Sequence, residues 1–336
     1  MTISVLGLDI GGANLKAAHS DGSARLRPFP LWKHPAQLPL ALAELIQPLP
    51  RFDMLAVTMT GELCDCFETR RRGVHAILSA VAEVAAGRRI AVWTLDGQFV
   101  DLTRARQIPL RIAAGNWLAL AAFAARFAPT GSALLVDAGS TTTDIIPLHN
   151  GKPVARAGSD RRRLQTRELV YTGVRRTPLC ALLGKRAAAE LFATTLDAYL
   201  LLAMLPEDET DLATADCKPA TIRAARSRLA HMLCADAQTC PEAVLVHLAK
   251  RVAAKQAGLV ATALECVAAR LPETPATIIV AGSGEFLAQR ALDRSALSGA
   301  RRVALSERLG AAMSLAAPAY SIARIAFECL THGDGK

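Results

Sequence analysis

Two short stretches carry the residue types from which phosphate chemistry is built. Residues 4–18 read S-V-L-G-L-D-I-G-G-A-N-L-K-A-A, and residues 134–148 read L-L-V-D-A-G-S-T-T-T-D-I-I-P-L. Each is an apolar run, an aspartate, a turn of small residues and a returning apolar run, the pattern of a β-hairpin. Glycine lets the backbone approach a ligand with no Cβ in the way, and amides left unpaired in such a turn point at an anion above it. Gly11, Gly12, Ala13 and Asn14 are therefore candidate phosphate binders, as are Gly139, Ser140, Thr141, Thr142 and Thr143, which add hydroxyls. Asp9, Asp137 and Asp144 are candidate ligands for Mg²⁺, which prefers one or two carboxylates plus phosphate oxygens and water. A third turn, A-G-S-G-E-F-L-A at 281–288, follows an apolar strand and opens a helix, so Gly282, Ser283 and Gly284 add a further anion site. Any one of the three reads equally well as an ordinary glycine turn. Their order along the chain points to a polyphosphate and its metal clamped between facing hairpins.

The elements that must hold these turns alternate between strand and helix. After the first hairpin come an expected strand at 25–29, a helix at 38–46 and a buried strand at 54–59. That strand runs into T-G-E-L, which puts Glu62 at a strand's carboxyl end, where open α/β sheets keep their ligands. A helix at 70–86 and a strand at 90–95 follow, then G-N-W-L-A-L-A-A-F-A-A-R-F at 115–127, apolar nearly all round and so a helix buried between layers. Pro129, Thr130 and Gly131 break the chain there. The likeness of 4–29 to 132–157 suggests an internal duplication. We read residues 1–130 as one domain, completed by a helix at about 318–336, and 131–317 as a second with a helical insert at about 185–270. The insert is expected to have loops at 206–211 and 235–241, and Pro318 is expected to split the closing helices. The most basic stretch, 158–180, offers Arg161, Arg162, Arg163, Arg167, Arg175 and Arg176 to a cleft, where guanidinium groups grip phosphate or carboxylate bidentately. It reads as readily as a solvated helix face.

Composition narrows the classes. Of 336 residues, 51% are hydrophobic and 21% charged, a globular balance with room for two cores. A net charge of +9 favours an anionic substrate, whereas aromatics at 4% leave few platforms for stacking bases, so no nucleic-acid partner is expected. The longest apolar run, 191–205, contains Asp197 and is too short to span a bilayer. No secretory pattern precedes the first strand, so a cytoplasmic, reducing setting with free thiols is expected, and the eight cysteines lack paired C-x-x-C spacing for zinc. The number of copies in an assembly is left open, a homo-oligomer included.

The ordered fragments D-I-G-G, G-N-W-L-A-L, V-D-A-G-S-T-T-T-D, A-G-S-G-E and G-A-A-M resemble the actin, chaperone and sugar-kinase superfamily. That resemblance implies two ribonuclease-H-like, actin-like ATPase domains around a central cleft. T-M-T-G-E-L at 58–63, E-L-V-Y-T-G-V-R-R-T-P-L at 168–179 and R-L-A-H-M-L-C-A-D at 228–236 are similar, more narrowly, to hydantoinase/oxoprolinase-type proteins of tetrahydromethanopterin-linked one-carbon transfer. This group includes the ether-forming synthases of methanofuran biosynthesis. The resemblance implies a transferase that joins a furanylmethyl diphosphate to the phenol of a tyramine- or tyrosine-derived amine and releases diphosphate. It implies Mg²⁺ on Asp9, Asp137 and Asp144, with Glu62 as base, Lys16 and Arg175 as catalytic cations, and Arg161, Arg176 and Tyr171 at the substrate. The competing reading is an ATP-dependent small-molecule kinase using the same hairpins, with ATP in the cleft. The third turn is shorter than the glycine cluster of the kinases, which weakens the case for adenine.

Overall fold

The computed structural model describes residues 3–333. In the first half the chain runs β1 (Val5–Ile10), β2 (Asn14–His19), β3 (Ala24–Pro28), α1 (Leu38–Ile46), β4 (Met54–Met59), α2 (Arg70–Ala85), β5 (Arg89–Trp93), β6 (Phe99–Asp101), α3 (Leu102–Gln107), α4 (Pro109–Ile112) and α5 (Asn116–Ala124). The sheet order is β3-β2-β1-β4-β5-β6, antiparallel through the hairpin and parallel from β1 to β5. Every residue of β1 and β4 is buried, as a sheet covered on both faces requires. Leu6, Leu8 and Ile10 face α1 and α2 in one core, while Val5, Met54 and Ala56 face Ala119 of α5 in another.

The second half repeats the plan. It runs β7 (Ser132–Ala138), β8 (Thr143–His149), β9 (Lys152–Pro153), α6 (Asp160–Thr166), β10 (Leu169–Val170), α7 (Leu179–Leu183), α8 (Thr195–Leu201), α9 (Ile222–His231), α10 (Glu242–Ala268), β11 (Thr277–Ala281), α11 (Glu285–Leu292), β12 (Arg301–Ala304), α12 (Leu305–Leu309), α13 (Ala311–Leu315) and α14 (Ala317–Gly333). Its sheet order, β10-β8-β7-β11-β12, matches β3-β2-β1-β4-β5 of the first sheet, with β9 also on β8 and no counterpart of β6. Both halves thus have the ribonuclease-H-like arrangement. The outer strand position is split, however, between β9 and β10, with α6 inserted between them. Helix α5 lies between the two sheets, giving Trp117, Leu120 and Ala124 to the core of the second and Ala119 to the first. Helix α14 crosses back over β1, so close that a Cβ on Gly7 would collide with the Ala319 carbonyl.

Two expectations need correction. The closing helices part at Ala316, with Pro318 in the first turn of α14, where a missing amide costs nothing; the helix expected at 307–317 is broken a second time at Gly310, whose φ is +87°. The insert is less helical than its composition implied. Residues 202–220 form an irregular loop in which Asp208, Asp211 and Asp216 accept from nearby backbone amides, a local bonding that competes with helix. All eight cysteines are free thiols, and no described helix is long and apolar enough to cross a membrane.

Candidate active site

Strand pairing places the chemistry. Asp9 lies opposite Lys16 across β1 and β2, and Asp137 lies opposite Asp144 across β7 and β8, at the same place in the two hairpins. The turns close identically, Gly11 N donating to Asn14 O at 3.0 Å and Gly139 N to Thr142 O at 2.8 Å. Behind each turn a later segment takes its carbonyls. Phe29 and Leu31 donate to Ala13 O and Gly12 O; Val174 donates to Gly139 O, and Arg175 and Arg176 both to Ser140 O. With their carbonyls tied down, the turns present their amides outward. Those of Gly12, Ala13, Ser140, Thr141 and Thr142 donate to nothing among the described residues, which suits an anion.

The third turn packs onto the second. A Cβ on Gly282 would collide with the Asp137 carboxylate, and Gly284 N donates to Ala138 O at 2.8 Å. Lys16 sits centrally: its ammonium is 3.4 Å from Asp9, and its charge is felt by Asp137 and Asp144 as well. The Asp9 charge also acts on Asp137. Burial raises the pKa of Asp9 against the pull of Lys16 and a hydrogen bond from Asn116. It raises Asp137 to about 7 against Lys16, with Asp144, Asp9 and Glu285 pushing the same way as burial. Asp9 keeps one buried oxygen, Oδ1, with no partner.

Glu62 lies in the turn after β4, 1% exposed, with neither carboxylate oxygen hydrogen-bonded to another side chain. Its nearest countercharge is Arg70 Nε at 3.4 Å. Burial pushes Glu62 up to about 7, Arg70 opposing and Asp160 reinforcing. Two glycines make this place possible. On Gly73 of α2 a Cβ would run into the Glu62 backbone, and on Gly61 it would come 3.1 Å from Gly11. The Glu62 turn and the first phosphate turn are therefore in direct contact.

Other expected residues land elsewhere. Asp144 accepts from Arg163 of α6 at 2.5 Å and so is not free for a cation, although burial still raises its pKa. Among the described residues no three His, Cys, Asp or Glu side chains are grouped to hold a metal by themselves. Thr143 is fully buried and its hydroxyl donates to Thr172 O at 2.8 Å, so it does not serve phosphate. The amides of Gly11, Gly139 and Gly284 are spent on closing and stacking the turns. Arg175 pairs with Asp211 of the insert loop, while its backbone amide is pinned to Ser140 O behind the turn. Arg161 is exposed on α6, and Tyr171 is 67% exposed. Arg176 lies over the ring of Trp32 at 4.5 Å, joining the segments behind the two turns. A cavity of about 180 Å³ beside Pro147, Glu168 and Leu271 includes none of the turns. Sequence reading missed Asn116, which acts on Asp9 from the start of α5, and Trp32; G-N-W at the opening of an apolar helix was the available signal for the first.

Comparison with known proteins agrees in reach with this geometry. The hydantoinase/oxoprolinase family model matches residues 53–328. A protein of Methanocaldococcus jannaschii named (4-{4-[2-(gamma-L-glutamylamino)ethyl]phenoxymethyl}furan-2-yl)methanamine synthase is 32% identical over 336 residues, covering 97% of this chain and 98% of that one. A protein of the same name from Methanococcus vannielii is 32% identical over 198 residues, 56% of this chain and 88% of its own. Among solved structures, nucleotide-free acetone carboxylase aligns with a TM-score of 0.55 at 10% identity, over 96% of this chain and 70% of that one, and is similar in fold.

Proposed function

The chain belongs to the hydantoinase/oxoprolinase family, and from that premise we propose that it is a transferase in the biosynthesis of a methanofuran-type cofactor. The phenol oxygen of a glutamyltyramine or tyrosine-derived acceptor bonds to the methylene of a furanylmethyl diphosphate. The carbon–oxygen bond to diphosphate breaks, and the phenol proton passes to a base. The names of the two archaeal relatives describe such an aryl ether. What supports the reading is the pair of matched turns, whose five amides are unpaired among the described residues and which stand next to the carboxylates of Asp9 and Asp137.

The residues divide the work as follows. The amides of Gly12, Ala13, Ser140, Thr141 and Thr142, with the ammonium of Lys16, take up charge as diphosphate departs, where fixed dipoles need no reorganisation. A furan stabilises positive charge at its methylene, so holding the leaving group and presenting the phenol in line are the main tasks. Phenols ionise at about 10, and a carboxylate near 7 is a competent acceptor for a proton leaving in the transition state. Glu62 is that group. Asp9, with its unpartnered oxygen, and Asp137 fit Mg²⁺ held jointly with phosphate oxygens and water. When bound, the ion would neutralise diphosphate charge.

Diphosphate release from an aminomethylfuranylmethyl diphosphate should require a tyramine-type phenol and match ether formation one for one. Release without ether, or sustained acceptor-dependent ADP formation from ATP, would replace this reading with hydrolysis or with the kinase.

A further inference from the structure

The two phosphate turns are backed differently. The segment behind the first, Phe29–Leu31, rests in the apolar core with α1 and α2. The segment behind the second, residues 172–176, rests on a buried polar cluster supplied by the helical insert. Gln256 of α10 is fully buried in a face otherwise made of Leu, Val and Ala. Its Nε2 donates to Thr172 Oγ1 and to Gly173 O, both at 2.8 Å, and its Oε1 accepts from the hydroxyl of Tyr199 in α8. Gly173 O also accepts from Thr195 Oγ1 at 2.8 Å and Thr177 Oγ1 at 3.2 Å. Tyr199 in turn meets the ring of Phe286, just after the third turn, edge to face at 4.9 Å.

An apolar side chain at 256 would pack this helix at no polar cost, since burying an amide is unfavourable unless its bonds are made. Here they orient one carbonyl. Gly173 presses on the turn so closely that a Cβ would lie 2.5 Å from Ser140 C and Thr141 N, and the next amides, 174 to 176, hold the turn's carbonyls. A rotated 173 peptide would turn the Ser140 and Thr141 amides away from the cleft. We infer that Gln256 is a positioning residue: acting through Gly173, it sets the direction of the second turn's amides and so couples the insert to diphosphate binding. The inference rests on the diphosphate reading above.

The test uses the full chain with Mg²⁺ and inorganic pyrophosphate, by calorimetry. Gln256→Met, close in length and without donors, should weaken pyrophosphate about ten-fold, the size of a lost buried hydrogen-bond pair. KM for the diphosphate substrate should rise in step while KM for the phenol stays unchanged. Tyr199→Phe, which leaves both Nε2 bonds in place, should cost less. Leu264→Ala is the stability control: it lies on α10 in the same core and makes no bond to 172–176. The inference is overturned if Gln256→Met binds pyrophosphate like wild type, or if Leu264→Ala weakens it equally. Wild-type protein that binds no pyrophosphate would remove the reading of the turns themselves, and this inference with it.

Discussion

The two hairpins share register, turn closure and backing, yet differ at the position facing the buried aspartate. In the first it is Lys16, which answers Asp9 from within the hairpin. In the second it is Asp144, a like charge, and cross-strand like charges repel. The second hairpin therefore recruits its cation from outside, Arg163, on the helix inserted between β9 and β10. That guanidinium is almost wholly buried and also donates to Glu168 O and lies over Trp117 at 4.2 Å. One half is electrostatically complete in its local sequence. The other depends on tertiary structure, and of its two carboxylates only Asp137 has room to answer a further positive charge.

Breaking the borrowed cation should do the most damage. Arg163→Met leaves Asp144 buried beside Asp137 with no partner, and about 3–5 kcal/mol of stability should be lost in urea unfolding. Arg163→Met combined with Asp144→Leu should recover much of it. If the single variant unfolds like wild type, the second hairpin does not depend on α6. Next in size is Lys16→Met, which removes the charge shared by Asp9, Asp137 and Asp144. We expect kcat/KM to fall about 10²–10³-fold, as when one donor to a developing anion is deleted. A loss confined to the phenol's KM would argue that Lys16 serves the acceptor instead.

A smaller effect sharpens the comparison through pH. Glu62, beside the first turn, and Asp137, in the second, both titrate at about 7 when folded, against 4.5 and 3.8 as ordinary side chains. The folded state then holds protons that the unfolded chain has released, so stability is greatest below the ordinary values and falls as pH rises toward 7. Glu62→Gln should flatten its share of that slope and abolish the rise of kcat/KM through about pH 7. Retention of that rise would move the base elsewhere. The smallest change belongs to Arg175→Ala, whose part-exposed pair with Asp211 should be worth about 0–1 kcal/mol, with near-normal kcat.

The two halves also differ in what stands beside each turn. Glu62 stands with the first turn, whereas the polar cluster under Gly173 stands with the second. Arg176 over Trp32 and Arg70 beside Asp160 at 3.4 Å connect them across the cleft.

Strand alternation, two aspartates before small-residue turns, and the return of the same pattern determined much from sequence alone. They marked the hairpins, the duplication, Glu62 at a strand end and the small-residue turns, because apolar patterning and glycine geometry act over a few residues. Which amides stay free, which carboxylate loses its freedom to Arg163, why Arg175 points to Asp211 and what Gln256 holds were decided only by tertiary structure. A buried hydrogen bond or ion pair depends on distance and desolvation in the folded state, and chain positions far apart in sequence carry no local sign of either.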